Sequence, residues 1–194
     1  GQHQRPGKAG TSVFLALGRV RVTAMQLAHY FARLARYHAW ATHKLLADLA
    51  PLSDEAWHRD LRLFFGSVHR TVNHLLVTDS NWHARFADNT SPRIALDAEL
   101  HADRTAVCAA LNQAVDRWSA WVDTLDAARL DGELVYTRNN GEVVRIPFAP
   151  ALGHVFNHAT HHRGQLTAAM TALGHPGPSL DWVYLLQSEA RQGT

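Results

Sequence analysis

Four histidines crowd into nine residues, at His154, His158, His161 and His162, within the stretch His154-Val-Phe-Asn-His-Ala-Thr-His-His-Arg-Gly-Gln-Leu166. Imidazole is mostly neutral near pH 7, can ligate divalent metals in that state and can also carry protons, so the spacing of the run decides which chemistry is open to it. Pro150 suits a first helical turn, Gly174 a C-terminal stop and Pro176 a breaker, which predicts one helix of about six turns carrying all four histidines. At about 100° per residue, Val155, Ala159, Leu166, Met170 and Leu173 form one apolar stripe; His162 lies about 40° from its centre and His158 about 80°, with His154 and His161 further round. His158 and His162 are therefore an i, i+4 pair projecting side by side from consecutive turns, as two ligands of one ion must. The same placement also suits hydrogen-bonded structural histidines, and a metal site needs a third ligand from elsewhere. Ala159 stands where the glutamate of an H-E-x-x-H protease motif would be, which disfavours that chemistry.

The elements that must hold such a pair are bounded by composition. With 194 residues, 46% hydrophobic and 19% charged, the chain can bury one sizeable core, and a single domain is expected. The formal charge is +2 with histidine neutral, and the basic residues are scattered, so the footprint of a nucleic-acid binder is missing. The apolar run 13–17 is too short for a signal-peptide core or a membrane span. The lone cysteine, Cys108, excludes an internal disulfide, suits a reducing cytoplasm and reads as a small core residue rather than a nucleophile.

Leu27, Tyr30, Phe31, Leu34, Tyr37, Ala41, Leu45 and Leu49 recur at three and four, predicting a first amphipathic helix over 25–49 that stops before Pro51. His29, His38 and His43 fall on its polar face. Residues 1–24 differ in character and are read as an extension outside the domain, strand-like over 13–22 and supplying no ligand; the domain then occupies 25–194, with Met25 as the functional start. Ser53 caps a short helix, and Ser67 caps a second long one over 67–87. On that helix His83 lies within the apolar stripe, His69 borders it and His74 sits well off its centre, so spacing alone does not choose a third ligand. Asp97 and Glu99 open a third long helix over 97–125 with Leu100, Val107, Leu111, Val115, Trp118 and Val122 inward. Leu134-Val-Tyr136 and Val143-Val-Arg-Ile146 flank an Asn-Gly turn, a small hairpin; the histidine helix follows, then a short capped helix over 179–192. Four long helices so joined predict an all-α four-helix bundle with a hairpin insertion before the fourth helix.

The phrase Ser67-Val-His-Arg-Thr-Val-Asn-His74-Leu-Leu, Trp82, the hairpin, and Asn157-His158-Ala-Thr-His-His162-Arg-Gly-Gln165 together resemble the DinB family, the YfiT-like metalloenzymes, across roughly 25–191. The resemblance implies a four-helix bundle, usually dimeric, holding one divalent metal through three histidines. Carried onto this chain the ligands are His74, His158 and His162, the last two coinciding with the pair selected by spacing, and His83 is the fallback for the first. Arg163 and Gln165 are expected to pack or support rather than react. Imidazole donors suit zinc or nickel. The resemblance further implies a small-molecule substrate and a low-molecular-weight thiol cosubstrate, such as bacillithiol or mycothiol, in an S-transferase or a related transferase or hydrolase. A cytoplasmic homodimer without nucleic-acid or membrane partners is expected. The competing reading is a stress-associated metal-binding protein without turnover; a metal site open to a pocket favours the enzyme, and a sealed one favours binding alone.

Overall fold

The computed structural model describes residues 23–192, so the expected strand over 13–22 lies outside the described residues. Helix α1 (Ala24–Leu49) opens on a capping box: Gln26 N–H donates to the Thr23 hydroxyl at 3.1 Å, and Thr23 N–H donates to the Gln26 side chain at 2.8 Å. Ser53 caps the short α2 (Asp54–His58), and Ser67 caps α3 (Val68–His83). α3 widens into a π-helical turn over Ala84–Asp88, closed by Asn89 at φ 53°, a left-handed conformation that asparagine tolerates better than most residues. Asp103 caps α4 (Arg104–Asp123) by accepting from Ala106 N–H at 2.7 Å. A 3₁₀ turn, Ala127–Asp131, leads to the antiparallel pair β1 (Glu133–Thr137) and β2 (Val143–Pro147), in register Leu134 to Ile146 and Tyr136 to Val144. The hairpin feeds directly into α5 (Phe148–Ala172). Gly174 at φ 79° ends that helix in a Schellman arrangement, with His175 N–H on Met170 C=O and Gly174 N–H on Thr171 C=O. α6 (Trp182–Gln192) begins three residues later than expected and buries none of its residues.

Two hydrophobic clusters set the direction of the long helices. One joins Leu45 and Leu49 of α1, Val68 and Val72 of α3, Leu111 of α4 and Leu166 and Met170 of α5. The other joins Phe31 of α1, Phe86 beyond α3, Trp118 of α4 and Leu152 and Phe156 of α5. The C-terminal half of α1 thus shares a core with the N-terminal halves of α3 and α4 and the C-terminal half of α5. The helices run up, down, down and up. Parallel neighbours cannot be joined by a tight turn, so residues 89–103 return along the bundle as a crossover. This corrects the third helix: 97–103 are not helical, the helix starts at Arg104, and Leu100, expected inward, is 36% exposed. Asn73 of α3 holds the crossover in place, accepting from Leu100 N–H at 2.8 Å and His101 N–H at 3.1 Å and donating to His101 C=O. No described helix is long and apolar enough to cross a membrane.

Candidate metal centre

The fold brings His74 of α3 against His158 and His162 of α5. Nε2 of His162 lies 3.1 Å from Nε2 of His74 and 3.0 Å from Nε2 of His158, and one nitrogen from each ring falls within 4.8 Å of the others. His74 and His162 are buried and His158 is half-buried, while His154 and His161 are exposed, His154 one turn before His158 on the same side of α5 and His161 further round. His74 was off-centre on its helical wheel because α3 has no single apolar face: twelve of its sixteen residues are buried, enclosed by neighbouring helices and by the crossover.

The far nitrogens explain the direction of the near ones. Leu96 C=O, on the crossover, accepts from Nδ1–H of His74 at 2.7 Å, and Oε1 of Gln165 accepts from Nδ1–H of His162 at 2.8 Å. With both Nδ1 protons committed to acceptors, neutral His74 and His162 present bare Nε2 lone pairs to each other, a repulsive arrangement unless a cation stands between them. Nitrogens about 2.1 Å from one ion at ordinary coordination angles lie about 3.0–3.4 Å apart, a range that holds the His74–His162 and His162–His158 separations, while the His74 and His158 rings stand further apart, with centroids at 5.4 Å. Accepting groups on the outer nitrogens are the usual means of fixing tautomer and ring direction in such sites. On one side the ring of Phe65 stacks on His74, with centroids 3.9 Å apart, and comes within 5.8 Å of His162.

Burial holds the rings neutral. It lowers His74 from its ordinary 6.5, brings His162 down to about 4 despite the Gln165 hydrogen bond, and takes His158 to about 3 with help from the adjacent His162 and His74. The sign follows from the unfolded chain, in which these histidines titrate near 6.5: as pH falls below that value the unfolded form takes up protons that the folded form refuses. The metal-free protein is therefore expected to lose stability progressively between about pH 6.5 and about pH 3, with no contribution from these groups above pH 7. A thermal unfolding midpoint that stays flat across that window in metal-free protein would contradict the assignment.

The remaining histidines have other work. His38, expected on a polar face, is buried: its Nε2–H donates to Asp79 at 2.7 Å and its Nδ1 accepts from Arg163 at 3.0 Å. His69 accepts from the Trp57 indole at 2.9 Å. His83, the fallback ligand, packs edge-on against Trp118 and Trp121 and is not part of the three-histidine group. Arg163 and Gln165 act as supports, Gln165 directly on His162. Cys108 is half-buried on the core, and burial raises its thiol above the ordinary value, which makes it a poor nucleophile.

Beside the histidines lies an open cleft of about 520 Å³, walled by His74, His154 and His158, by Trp82 and Arg85, and by Tyr136, Arg138, Asn139 and Asn140 of the hairpin region. A larger groove of about 740 Å³ between α1, α5 and α6 is mostly aromatic and aliphatic and touches none of the three histidines. Of the two, only the smaller space is lined by members of the three-histidine group. Trp82, Arg85 and the hairpin were legible as elements, but nothing in their spacing marked them as cleft walls, because they meet only after the hairpin folds onto the end of α3.

Compared with known proteins, residues 25–193 match the model of the DinB family. Protein DinB of Bacillus subtilis (strain 168) is 23% identical over 167 residues, spanning 82% of this chain and 96% of that protein. Among solved structures, YfiT from Bacillus subtilis, described as a probable metal-dependent hydrolase with an unusual four-helix bundle topology, aligns at a TM-score of 0.58 and 18% identity over 81% of this chain and 93% of its own.

Proposed function

Because this chain belongs to the DinB family, we propose that it is a divalent-metal-dependent enzyme in which His74, His158 and His162 hold one ion, zinc or nickel, at the edge of the cleft. The observation that carries this reading is the convergence of three Nε2 atoms beside open space large enough for a small molecule. A site serving stability alone has no need of that opening. When bound, the ion would acidify a thiol or water drawn to it and supply a nucleophile near neutral pH.

The chain's own residues do the rest. Leu96 C=O and Gln165 hold the Nδ1 protons of His74 and His162, keeping both rings in the tautomer that leaves Nε2 free. Phe65 covers one side and keeps water off His74, while the cleft admits substrate on the other. No buried carboxylate or free nucleophile lines the cleft among the described residues, and Cys108 lies elsewhere. An external low-molecular-weight thiol, transferred to an electrophilic small molecule, accounts for the missing nucleophile; hydrolysis with water in its place is the alternative reaction of the same site. A cytoplasmic homodimer accompanies this reading on family likeness and on the single cysteine.

The test is metal analysis of the purified protein followed by a screen of electrophiles with and without candidate thiols. Turnover that requires both metal and cleft supports the proposal, and stoichiometric metal without turnover against any electrophile supports a binding protein. A second expectation concerns Gln165→Leu, which removes the acceptor on His162 without touching a ligand nitrogen. Metal affinity should drop by about 10- to 100-fold, the usual effect of losing such a support. Competition against a chromophoric chelator reads it directly, and an unchanged affinity would show that Gln165 does not orient the ring.

A further inference from the structure

Arg85 is held in an unusual way for a cation. Its guanidinium carbon lies 4.5 Å from the centre of the Trp82 ring and 4.3 Å from that of Tyr136, so two aromatic faces fix it in place. Its Nε is buried without a hydrogen-bond partner, and no carboxylate pairs with it among the described residues. A half-buried charge that is immobilised yet unpaired is costly to keep, and ring faces offset only part of that cost.

The surroundings say what would complete it. Arg85 and Arg138 are the permanently charged residues on the cleft wall, no aspartate or glutamate lines it, and Arg138 is already paired with Glu142 at 3.1 Å. Arg85 is thus the uncompensated charge of a cleft whose other wall is His74 and His158. Its link to them is short: the Trp82 ring lies 5.3 Å from that of His154, which lies 5.5 Å from that of His158. A guanidinium presents a planar fork of donors that matches the paired oxygens of a carboxylate or phosphate.

We propose that the cleft takes a small molecule bearing an oxyanionic group, which Arg85 receives while the rest of the molecule extends towards His74 and His158. This deepens the metal-enzyme reading by naming a substrate class, and it rests on that reading only for the chemistry at the far end. Arg85 is a binding and specificity residue, fixed for its task by Trp82 and Tyr136.

The test uses the full chain, metal-free and zinc-loaded, titrated by calorimetry with benzoate, phenyl phosphate and neutral benzamide. At least one of the two anions is expected to bind saturably in both forms, benzamide in neither, and the anion preferred tells carboxylate from phosphate. Arg85→Gln should weaken that binding at least tenfold with zinc content unchanged, whereas Arg33→Gln, an exposed charge on α1, should have no effect. Arg85→Lys keeps the charge but loses the fork, and should fall between; it decides the matter if Arg85→Gln fails to fold. Equal affinity in wild type and both Arg85 variants overturns the proposal, as does failure of both anions to bind. Binding that needs zinc and ignores Arg85 also overturns it while leaving the metal reading intact. Arg85-dependent binding in a protein that will not retain zinc would instead sink the metal reading alone.

Discussion

His162→Ala is expected to abolish stoichiometric metal binding, whereas His161→Ala, its immediate neighbour, leaves metal content near one per chain. His162 is the middle member of the group, within 3.1 Å of both other Nε2 atoms. Its loss leaves two imidazoles, one of them on another helix. The affinity should therefore drop by more than about 100-fold, beyond the upper end of what a mere supporting group contributes. His161 is exposed, and its one polar contact is with the amide nitrogen of Gln165 at 3.3 Å, so removing it leaves the Gln165 oxygen free to hold His162. Both substitutions replace histidine by alanine at adjacent interior positions of α5, with the same gain in helix propensity, so only side-chain direction separates them. Metal remaining after dialysis and the rise in unfolding midpoint on adding zinc are the two readouts; a ligand bound only by the folded form must raise that midpoint, and the rise should vanish in His162→Ala alone. Equal losses in the two variants would mean that the helix surface in general, and not the proposed ligand set, takes up the ion.

How much of this was legible in the sequence differs from element to element for physical reasons. α1 and α5 were readable because each has a defined apolar stripe and clear stop signals, and the hairpin because Asn-Gly turns force tight reversals. His158 and His162 followed from i, i+4 spacing, a property of one helix. His74 did not, since a wheel ranks positions by distance from an apolar stripe and α3 is enclosed on nearly every side. The resemblance supplied it. The crossover was misread as helix because Asp97 and Glu99 are good first-turn residues, and nothing local records that α3 and α4 run parallel and need a long return. That return is also what places Leu96 C=O behind His74. His38 was misassigned for the complementary reason: its partners Asp79 and Arg163 are 41 and 125 residues away, and a buried polar residue is recognisable only when its partners are known. Arg85 offered no signal at all until two aromatic rings from different elements closed on it.

Asp79→Ala is expected to destabilise the bundle strongly. Arg163, whose fork can only donate, gives a hydrogen bond to Nδ1 of His38, which fixes the ring as the Nε2–H tautomer donating to Asp79. A neutral imidazole, its pKa held below the ordinary value chiefly by burial, therefore connects a buried cation on α5 to a buried anion on α3. Removing the carboxylate leaves Arg163, 2% exposed, without a countercharge, and breaking a buried pair from one side costs about 3–5 kcal/mol. For a domain of this size that corresponds to a fall of about 6–20 °C in the unfolding midpoint. Asp79→Asn keeps the shape and an acceptor for His38, so it should lose less. The double change Asp79→Ala with Arg163→Met removes both charges together and should recover part of the loss, because the penalty is for the orphaned guanidinium rather than for the missing contact. None of the three removes a nitrogen of the metal group, so variants that remain folded should still bind metal, which separates this effect from that of His162→Ala. An Asp79→Ala midpoint within about 2 °C of wild type, less than 1 kcal/mol on the same scale, would show that the charge on Arg163 is compensated by solvent or by the Tyr37 ring 5.3 Å away rather than by Asp79.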